Sequence, residues 1–290
     1  MRAVVLDADG LPGLAEVPDP AGPGVLVRVL GCGLCGSDVE KLGRGTAAGA
    51  VLGHEVAGVL EDGSHVTVMH RVPCGNCERC RAGHESTCDE FQQLRIDPGG
   101  FAERLRASHV VPIGALGLDG IWIEPVACIL RALERVPAGR VLVVGGGAVG
   151  QLWVQVLRRR GDEVVATDLR ADRVEAAKRL GARADDGSVD AAVVTAHGGL
   201  NDALARVEPG GTALVFAAPS EDVAVSLDTV YRRELHVVGS RSASPAHFAS
   251  AVALLPELDL PDVTTLPLER FDEGVELYRR GDALKVVFTP

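Results

Sequence analysis

The sequence predicts an α/β protein in two parts, a small β-rich domain followed by a doubly wound parallel sheet, and two observations carry that reading. Residues 1–120 are rich in glycine and proline and hold short β-branched runs broken by turn signals such as Asp19-Pro20 and Pro98-Gly99-Gly100. From about Glu124 the pattern changes to apolar strands alternating with amphipathic helices, which is how parallel βαβ units read.

Taken in order, the first part offers strands at Arg2–Leu6, Val25–Val29, Val56–Leu60 and Val66–Met69. The second offers strands at Val141–Val144 and Val164–Thr167 around a helix at Val149–Arg160, then a helix at Arg173–Leu180. Strands at Ala191–Thr195, Thr212–Ala217 and Leu235–Val238 and helices at Leu200–Val207 and Pro245–Leu255 follow. The tail reads as a helix, Phe271–Arg280, and a strand, Lys285–Thr289. These elements divide the chain into residues 1–122, residues 123–250, and a segment 251–290 expected to return to the first domain.

A chain of 290 residues with 47% hydrophobic content can bury two cores. Its net charge of −11, with acids and bases interspersed, argues against nucleic acid or an anionic membrane as partner and leaves small molecules. Asp7 interrupts the apolar start too soon for a signal sequence, and no later run approaches a membrane span, so the cytoplasm is the expected compartment. There, seven cysteines favour metal or thiol chemistry over disulfides.

Cys74, Cys77, Cys80 and Cys88 crowd one short loop. Four thiolates close a tetrahedral shell with no position left for water, which is what a structural zinc requires. Further on, Val141–Val144 runs into Gly145-Gly146-Gly147-Ala148-Val149-Gly150 and then a helix, the strand-turn-helix setting in which a G-x-G-x-x-G pattern binds a dinucleotide. Gly145 permits the tight turn, Gly147 admits the pyrophosphate and Gly150 allows close helix packing, with Val149 in the same cofactor-facing turn. Asp168, after the next strand, is placed to accept hydrogen bonds from ribose hydroxyls and to repel a 2′-phosphate, favouring NAD over NADP. Arg170 and Arg173 weaken that preference, and Arg173 is expected beside the adenine.

Two further segments are Gly31-Cys32-Gly33-Leu34-Cys35-Gly36-Ser37-Asp38 and Gly53-His54-Glu55. Each alone is usually structural. In order, however, Cys-Gly-Ser-Asp, Gly-His-Glu, the four-cysteine loop, Gly99–Glu103, Glu124-Pro125 and the nucleotide loop resemble the zinc-dependent medium-chain alcohol dehydrogenases, in particular the branch with sorbitol, iditol and threonine dehydrogenases. The resemblance spans nearly the whole chain. It implies a GroES-like catalytic domain, a Rossmann cofactor domain, two Zn2+ per chain, NAD, and hydride transfer to or from a secondary alcohol of polyol, sugar or cyclitol type. The runner-up activity is a threonine-type amino-alcohol dehydrogenase; a catalytically silent NAD-binding relative is the alternative outside enzymes.

Residue by residue, the resemblance implies that Cys35 and His54 hold the catalytic zinc, with Glu55 as an acid that binds or exchanges there and Glu124 as a direct or water-bridged contact. Ser37 would relay the substrate proton and Asp38 would fix the histidine ligand. Cys74, Cys77, Cys80 and Cys88 match the structural zinc set, and Ser240 and Arg241 partly match a cofactor-contacting segment. Thr195–Gly199 and Phe216–Pro219, at strand ends, are where the nicotinamide ribose should lie. A zinc with an open position lowers the pKa of an alcohol oxygen, and the hydride acceptor is expected beside the carbinol carbon in a cleft between the domains.

The chain departs from its relatives at Glu40, where many carry a histidine that ends the proton relay. It is also shorter, and the link Ala184-Asp185-Asp186-Gly187 replaces a strand-helix crossover, so a trimmed cofactor domain is expected. With only 3% aromatic residues, the pocket should suit a hydroxyl-rich substrate. His65, His70, His84, His109, His197, His236 and His247 have no partner motif and read as exposed or satisfied in the core. The apolar strand Leu235–Val238 suggests pairing across a two-fold axis in a homodimer or homotetramer.

Overall fold

The computed structural model describes residues 1–44, 47–184, 187–217 and 222–290. The chain forms two compact units: Met1–Ala127 with Ala243–Pro256 and Asp262–Pro290, and Cys128–Ser242 with Glu257–Pro261. No helix among the described residues is long and apolar enough to cross a membrane.

The first unit opens with an antiparallel hairpin, β1 (Arg2–Leu6) and β2 (Pro12–Glu16). A larger sheet is built from β3 (Val25–Gly33), β4 (Glu55–Val59), β5 (His65–Val68), β6 (Ile96–Asp97), β7 (Arg104–Ala107) and β8 (Val110–Pro112). Alternate residues of β3 and β7, among them Val27, Val29 and Leu105, pack with Val56, Val66, Val68 and Phe101 into one core. The β-branched run predicts β3 only as far as Val29, because Gly31 and Gly33 look like strand breakers. The strand continues through both, since each glycine lies where a Cβ would strike a neighbour: Leu118 and Val287 at Gly31, Glu55 and Lys285 at Gly33.

The second unit holds a five-stranded parallel sheet of β9 (Arg140–Val144), β10 (Glu163–Thr167), β11 (Val189–Val194), β12 (Val207–Val215) and β13 (His236–Gly239), in the order β10-β9-β11-β12-β13. The chain leaves β9 towards β10 and then returns to β11 on the other side, so the strand order reverses beside β9 and opens a crevice at the strand C-terminal ends. The trimmed link leaves β10 at one edge, where a single bridge from Val165 to Arg183 stands in place of a further strand. Asp185 and Asp186 of that link lie outside the described residues.

Beyond the cofactor sheet the chain returns to the first unit through β14 (Val263–Pro267), the helix Phe271–Arg280 and β15 (Lys285–Thr289). β15 pairs parallel with β14 and antiparallel with the end of β3, with Phe288 opposite Cys32. Phe288 and Phe271 pack around Phe101, at 5.5 and 5.0 Å between ring centroids, which ties the returning segment into the core.

Candidate active site and metal centres

The end of β3 delivers Cys35. The amide of Leu34 donates to Val286 of β15, after which Cys35 caps the short helix Gly36–Val39. Three residues on, Asp38 is buried, and its carboxylate joins three neighbours: Oδ2 accepts from the Cys35 amide at 3.2 Å, Oδ1 accepts from the Gly53 amide at 3.4 Å, and Oδ1 lies 3.3 Å from His54 Nδ1. One carboxylate therefore fixes the loop that presents a thiol and the loop that presents an imidazole. The Ser37 hydroxyl donates to Cys35 Sγ at 3.4 Å.

His54 and Glu55 are placed by the segment Gly99–Glu103. The amides of Gly100 and Phe101 donate to the carbonyls of Gly53 and Leu52 at 2.8 and 3.0 Å, and a Cβ at Gly53, whose φ is +94°, would strike Cys32 and Phe101. Sulfur, imidazole and carboxylate atoms of Cys35, His54 and Glu55 then lie within 4.8 Å of one another. Glu124 is buried in the first turn of the helix Ile123–Leu133 and is not among these three clustered ligands; Glu40 caps the C-terminal end of the Ser37 helix.

The electrostatics are those of an enclosed charged cluster. Burial works against protonated His54, yet the Asp38 carboxylate, by charge and hydrogen bond, and Cys35 hold the imidazole well above its usual value. Burial likewise opposes the Asp38 carboxylate, and the His54 charge and hydrogen bond bring it below its usual value. Lys285 pairs with Glu55, both side chains being buried, and lies 5.3 Å from the ring centroid of Trp122. Burial would depress the ammonium, but Glu55 and then Cys35 raise it. Tyr278, from the helix before β15, is pushed up to about 12 by burial and then by Cys35, and its hydroxyl faces Gly36. His70 packs its ring on His54 at 4.7 Å, and burial, followed by the His54 charge, holds it well below its usual value. Sequence reasoning assigned no role to Lys285, Tyr278 or His70.

The second metal candidate is the four-cysteine loop. Sγ atoms of Cys74, Cys77, Cys80 and Cys88 lie within 4.8 Å of one another, with Cys74 and Cys80 at 4.0 Å. Tetrahedral zinc with bonds of about 2.3 Å needs sulfur spacings of about 3.8 Å, so the set fits. Backbone amides of Cys80 and Cys74 donate to Cys77 and Cys88 sulfurs at 3.4 and 3.5 Å. Phe91 packs on Cys80 and Cys88 in a small cluster of its own.

In the second unit the glycine loop has the shape its spacing requires. Gly145, at φ +106°, donates its amide to Thr167 at 2.8 Å, and a Cβ there would meet Thr195; a Cβ on Gly150 would strike the Gly145 carbonyl. A Cβ on Gly147 meets nothing nearer than Arg173 at 3.9 Å, which leaves room over the start of the helix Ala148–Arg160. Val149 is half-buried in that first turn. Asp168 Oδ2 accepts from the Gly146 amide at 2.7 Å and lies 3.9 Å from Arg173, so the acid also braces the loop. A cavity of about 230 Å³ sits at the ends of β11 and β12, lined by Val194, Ala196, His197, Val215, Ala217 and Asp222. Ser240 follows β13, with its hydroxyl buried and unpartnered among the described residues, and the Arg241 carbonyl accepts from Arg131 at 2.7 Å. Ala218 and Pro219, named with the strand ends, lie outside the described residues.

Residues 22–115 match the alcohol dehydrogenase GroES-like domain and residues 148–257 the zinc-binding dehydrogenase domain. The chain is 29% identical to a sorbitol dehydrogenase of Halalkalibacterium halodurans, covering 100% of this chain and 99% of that protein. It is 31% identical to the D-altritol 5-dehydrogenase of Agrobacterium fabrum over 88% of each, and 30% identical to the L-threonine 3-dehydrogenase of Saccharopolyspora erythraea over 99% and 98%. Among solved structures, an alcohol dehydrogenase from Thermus sp. ATN1 superposes with a TM-score of 0.84 at 25% identity, covering 100% of both chains. With both domain models matched in order and relatives aligned end to end, the chain belongs to the zinc-dependent medium-chain alcohol dehydrogenases.

Proposed function

We propose that this enzyme transfers a hydride between NAD and a secondary alcohol of polyol, sugar or cyclitol type, at a zinc held by Cys35 and His54. The observation that carries the reading is the convergence of Cys35, His54 and Glu55 with the Ser37 hydroxyl on the Cys35 sulfur. When bound, zinc supplies the charge that lowers the pKa of the substrate hydroxyl, and NAD accepts the hydride.

The chain's own residues supply positioning and proton management. Asp38 holds His54 by its Nδ1, which leaves the other ring nitrogen for the metal. Glu55 is kept in place by Lys285 and is the acid available to bind or exchange at the metal, with Glu124 as a direct or water-bridged contact. Ser37 Oγ would accept the substrate hydroxyl proton as it gives up its own, and Glu40, at the end of the same short helix, would pass the released proton towards solvent. Cys74, Cys77, Cys80 and Cys88 hold a second, structural zinc.

On the cofactor side, Gly145, Gly147, Val149 and Gly150 cradle the pyrophosphate at a helix N-terminus, Asp168 binds the adenosine ribose, and Arg173 lies beside the adenine. Ser240 and Arg241 contact the nicotinamide end. The edge strand β13 and the exposed Val237 and Tyr231 support a homodimer or homotetramer, and a reducing cytoplasm suits two thiolate sites.

The relatives named for sorbitol and D-altritol oxidation favour a polyol, and the one named for L-threonine keeps the amino alcohol in view. The test removes metal with a strong chelator, restores zinc, and follows NADH formation on sorbitol, altritol, cyclitols and L-threonine with NAD and NADP. Activity that survives complete metal loss, or no activity on any secondary alcohol after zinc is restored, rejects the proposal.

A further inference from the structure

His70 stands where sequence alone gives it no task. The register of β4 on β5 sets Ala57 against Thr67, Gly58 against Val66 and Val59 against His65. Continued by three residues, the same register brings His54 opposite His70. Their rings meet at 4.7 Å between centroids with an interplanar angle of 49°. The backbone on either side is anchored, the Met69 amide donating to His109 at 3.0 Å and the His70 carbonyl accepting from Arg95 at 2.9 Å. His70 is thus held beside a proposed metal ligand. Yet its Nδ1 is buried with no hydrogen-bond partner among the described residues.

Buried polar atoms in native structures nearly always find a partner, and the exceptions call for a reason. The residue as a whole is only half-buried, so such a partner can come from outside the chain. His54 uses Nδ1 towards Asp38, which would leave its other ring nitrogen for a metal shared with Cys35. The His70 ring packs on that of His54, so a hydroxyl on the carbon next to the reacting one is a candidate partner for it. The chain's scarcity of aromatic residues, 3% overall, fits a pocket that selects hydroxyls over apolar bulk.

Resting on the function proposed above, we infer that His70 is a specificity-determining residue, whose imidazole hydrogen-bonds a second hydroxyl of the substrate and so favours polyols over simple secondary alcohols. A site built to hydrogen-bond a substrate hydroxyl discriminates against analogues lacking it, because its own polar group is then left unpaired.

The experiment compares wild type with His70→Phe, which keeps a flat ring and drops the polar atoms, and His70→Gln, which keeps a hydrogen-bonding group. Two readouts are taken on the zinc-loaded enzyme: kcat/KM on a polyol relative to a monohydric secondary alcohol, and polyol affinity in the presence of NADH by calorimetry. The inference expects the polyol-to-monohydric ratio and the polyol affinity to fall about tenfold in His70→Phe, the loss carried mainly by KM, with partial recovery in His70→Gln. Zinc content should stay at the wild-type level. Equal losses on both substrates, or unchanged polyol binding, overturn it and leave His70 as a packing partner of His54. A wild type that neither binds nor oxidises any polyol rejects the proposed substrate class itself and takes this inference with it.

Discussion

The ammonium of Lys285 pairs with the carboxylate of Glu55, and both side chains are shut away from solvent. The pair has the Trp122 ring beside it and a glycine, Gly33, beneath it, where any side chain would collide with both partners. Removing the cation leaves a buried carboxylate with no counter-charge, which costs roughly 3–5 kcal/mol. Lys285→Met should therefore lower the melting temperature strongly in metal-free enzyme, and zinc should recover part of the loss by giving Glu55 a new cation. The double variant Glu55→Gln/Lys285→Met should melt above Lys285→Met alone. Thermal melts with and without zinc check both expectations; additive losses in the double variant would show that the two residues do not depend on each other.

Asp38 connects the two proposed ligands, and the Asp38→Asn variant separates its charge from its shape. Zinc affinity at the catalytic site should fall about 10–100-fold, measured by competition with a chromogenic chelator. In metal-free protein the pair also has a pH signature. Asp38 sits below its ordinary 3.8, so its contribution is present above that pH and fades as pH falls through the lowered value. His54 sits above its ordinary 6.5, so its contribution is complete below that pH and fades as pH rises through the raised value. The difference in melting temperature between wild type and Asp38→Asn should be widest between pH 3.8 and 6.5 and narrow on the alkaline side.

The four-cysteine loop tests the second zinc. The Cys74 amide holds the Cys88 thiol down, at about 6, whereas burial pushes Cys80 up to about 12. Zinc takes thiolates, so its retention requires protons to leave, Cys80 above all, and should weaken on acidification. Cys88→Ser should bind one zinc per chain where wild type binds two, by elemental analysis after gel filtration. Proteolysis should then cut between Cys74 and Gln92 faster, since the loop's small apolar cluster is built on Cys80, Cys88 and Phe91, two of them proposed zinc ligands. Equal zinc content in both proteins would remove the structural site.

Much of this was legible because local chemistry announces itself. β1, β15 and the helix Phe271–Arg280 have the bounds their apolar patterns predict, and the cysteine spacing singles out four thiols that the fold brings within 4.8 Å of one another. What escaped depends on pairing between distant strands. Lys285 reaches Glu55 only because β15 pairs with the end of β3, and His70 reaches His54 only through the β4–β5 register. β12 was legible only from Thr212, because Pro209-Gly210-Gly211 reads as a turn although the strand begins at Val207. β14, with two threonines and a terminal proline, carries too weak an alternation to stand out before β15 supplies its partner.

Asp168 does two things at once, and they can be pulled apart. Its Oδ2 accepts from the Gly146 amide at 2.7 Å and its Oδ1 from the Arg170 amide at 2.9 Å, so it shapes the loop; its charge is the proposed barrier to a 2′-phosphate. Asp168→Asn keeps an acceptor for the loop and removes the charge, whereas Asp168→Ala removes both. If charge sets cofactor choice, both variants should lose about tenfold or more of the NAD-over-NADP preference in kcat/KM, with Arg173, 3.9 Å from the carboxylate, as the cation to meet the extra phosphate. If the brace on Gly146 is what matters, the alanine variant alone should lose affinity, and for both cofactors alike, because a loosened loop grips the pyrophosphate that NAD and NADP share. Dissociation constants for the two cofactors, set beside the kinetic ratios, distinguish the outcomes. A preference for NAD unchanged in both variants would move cofactor selection away from Asp168 altogether.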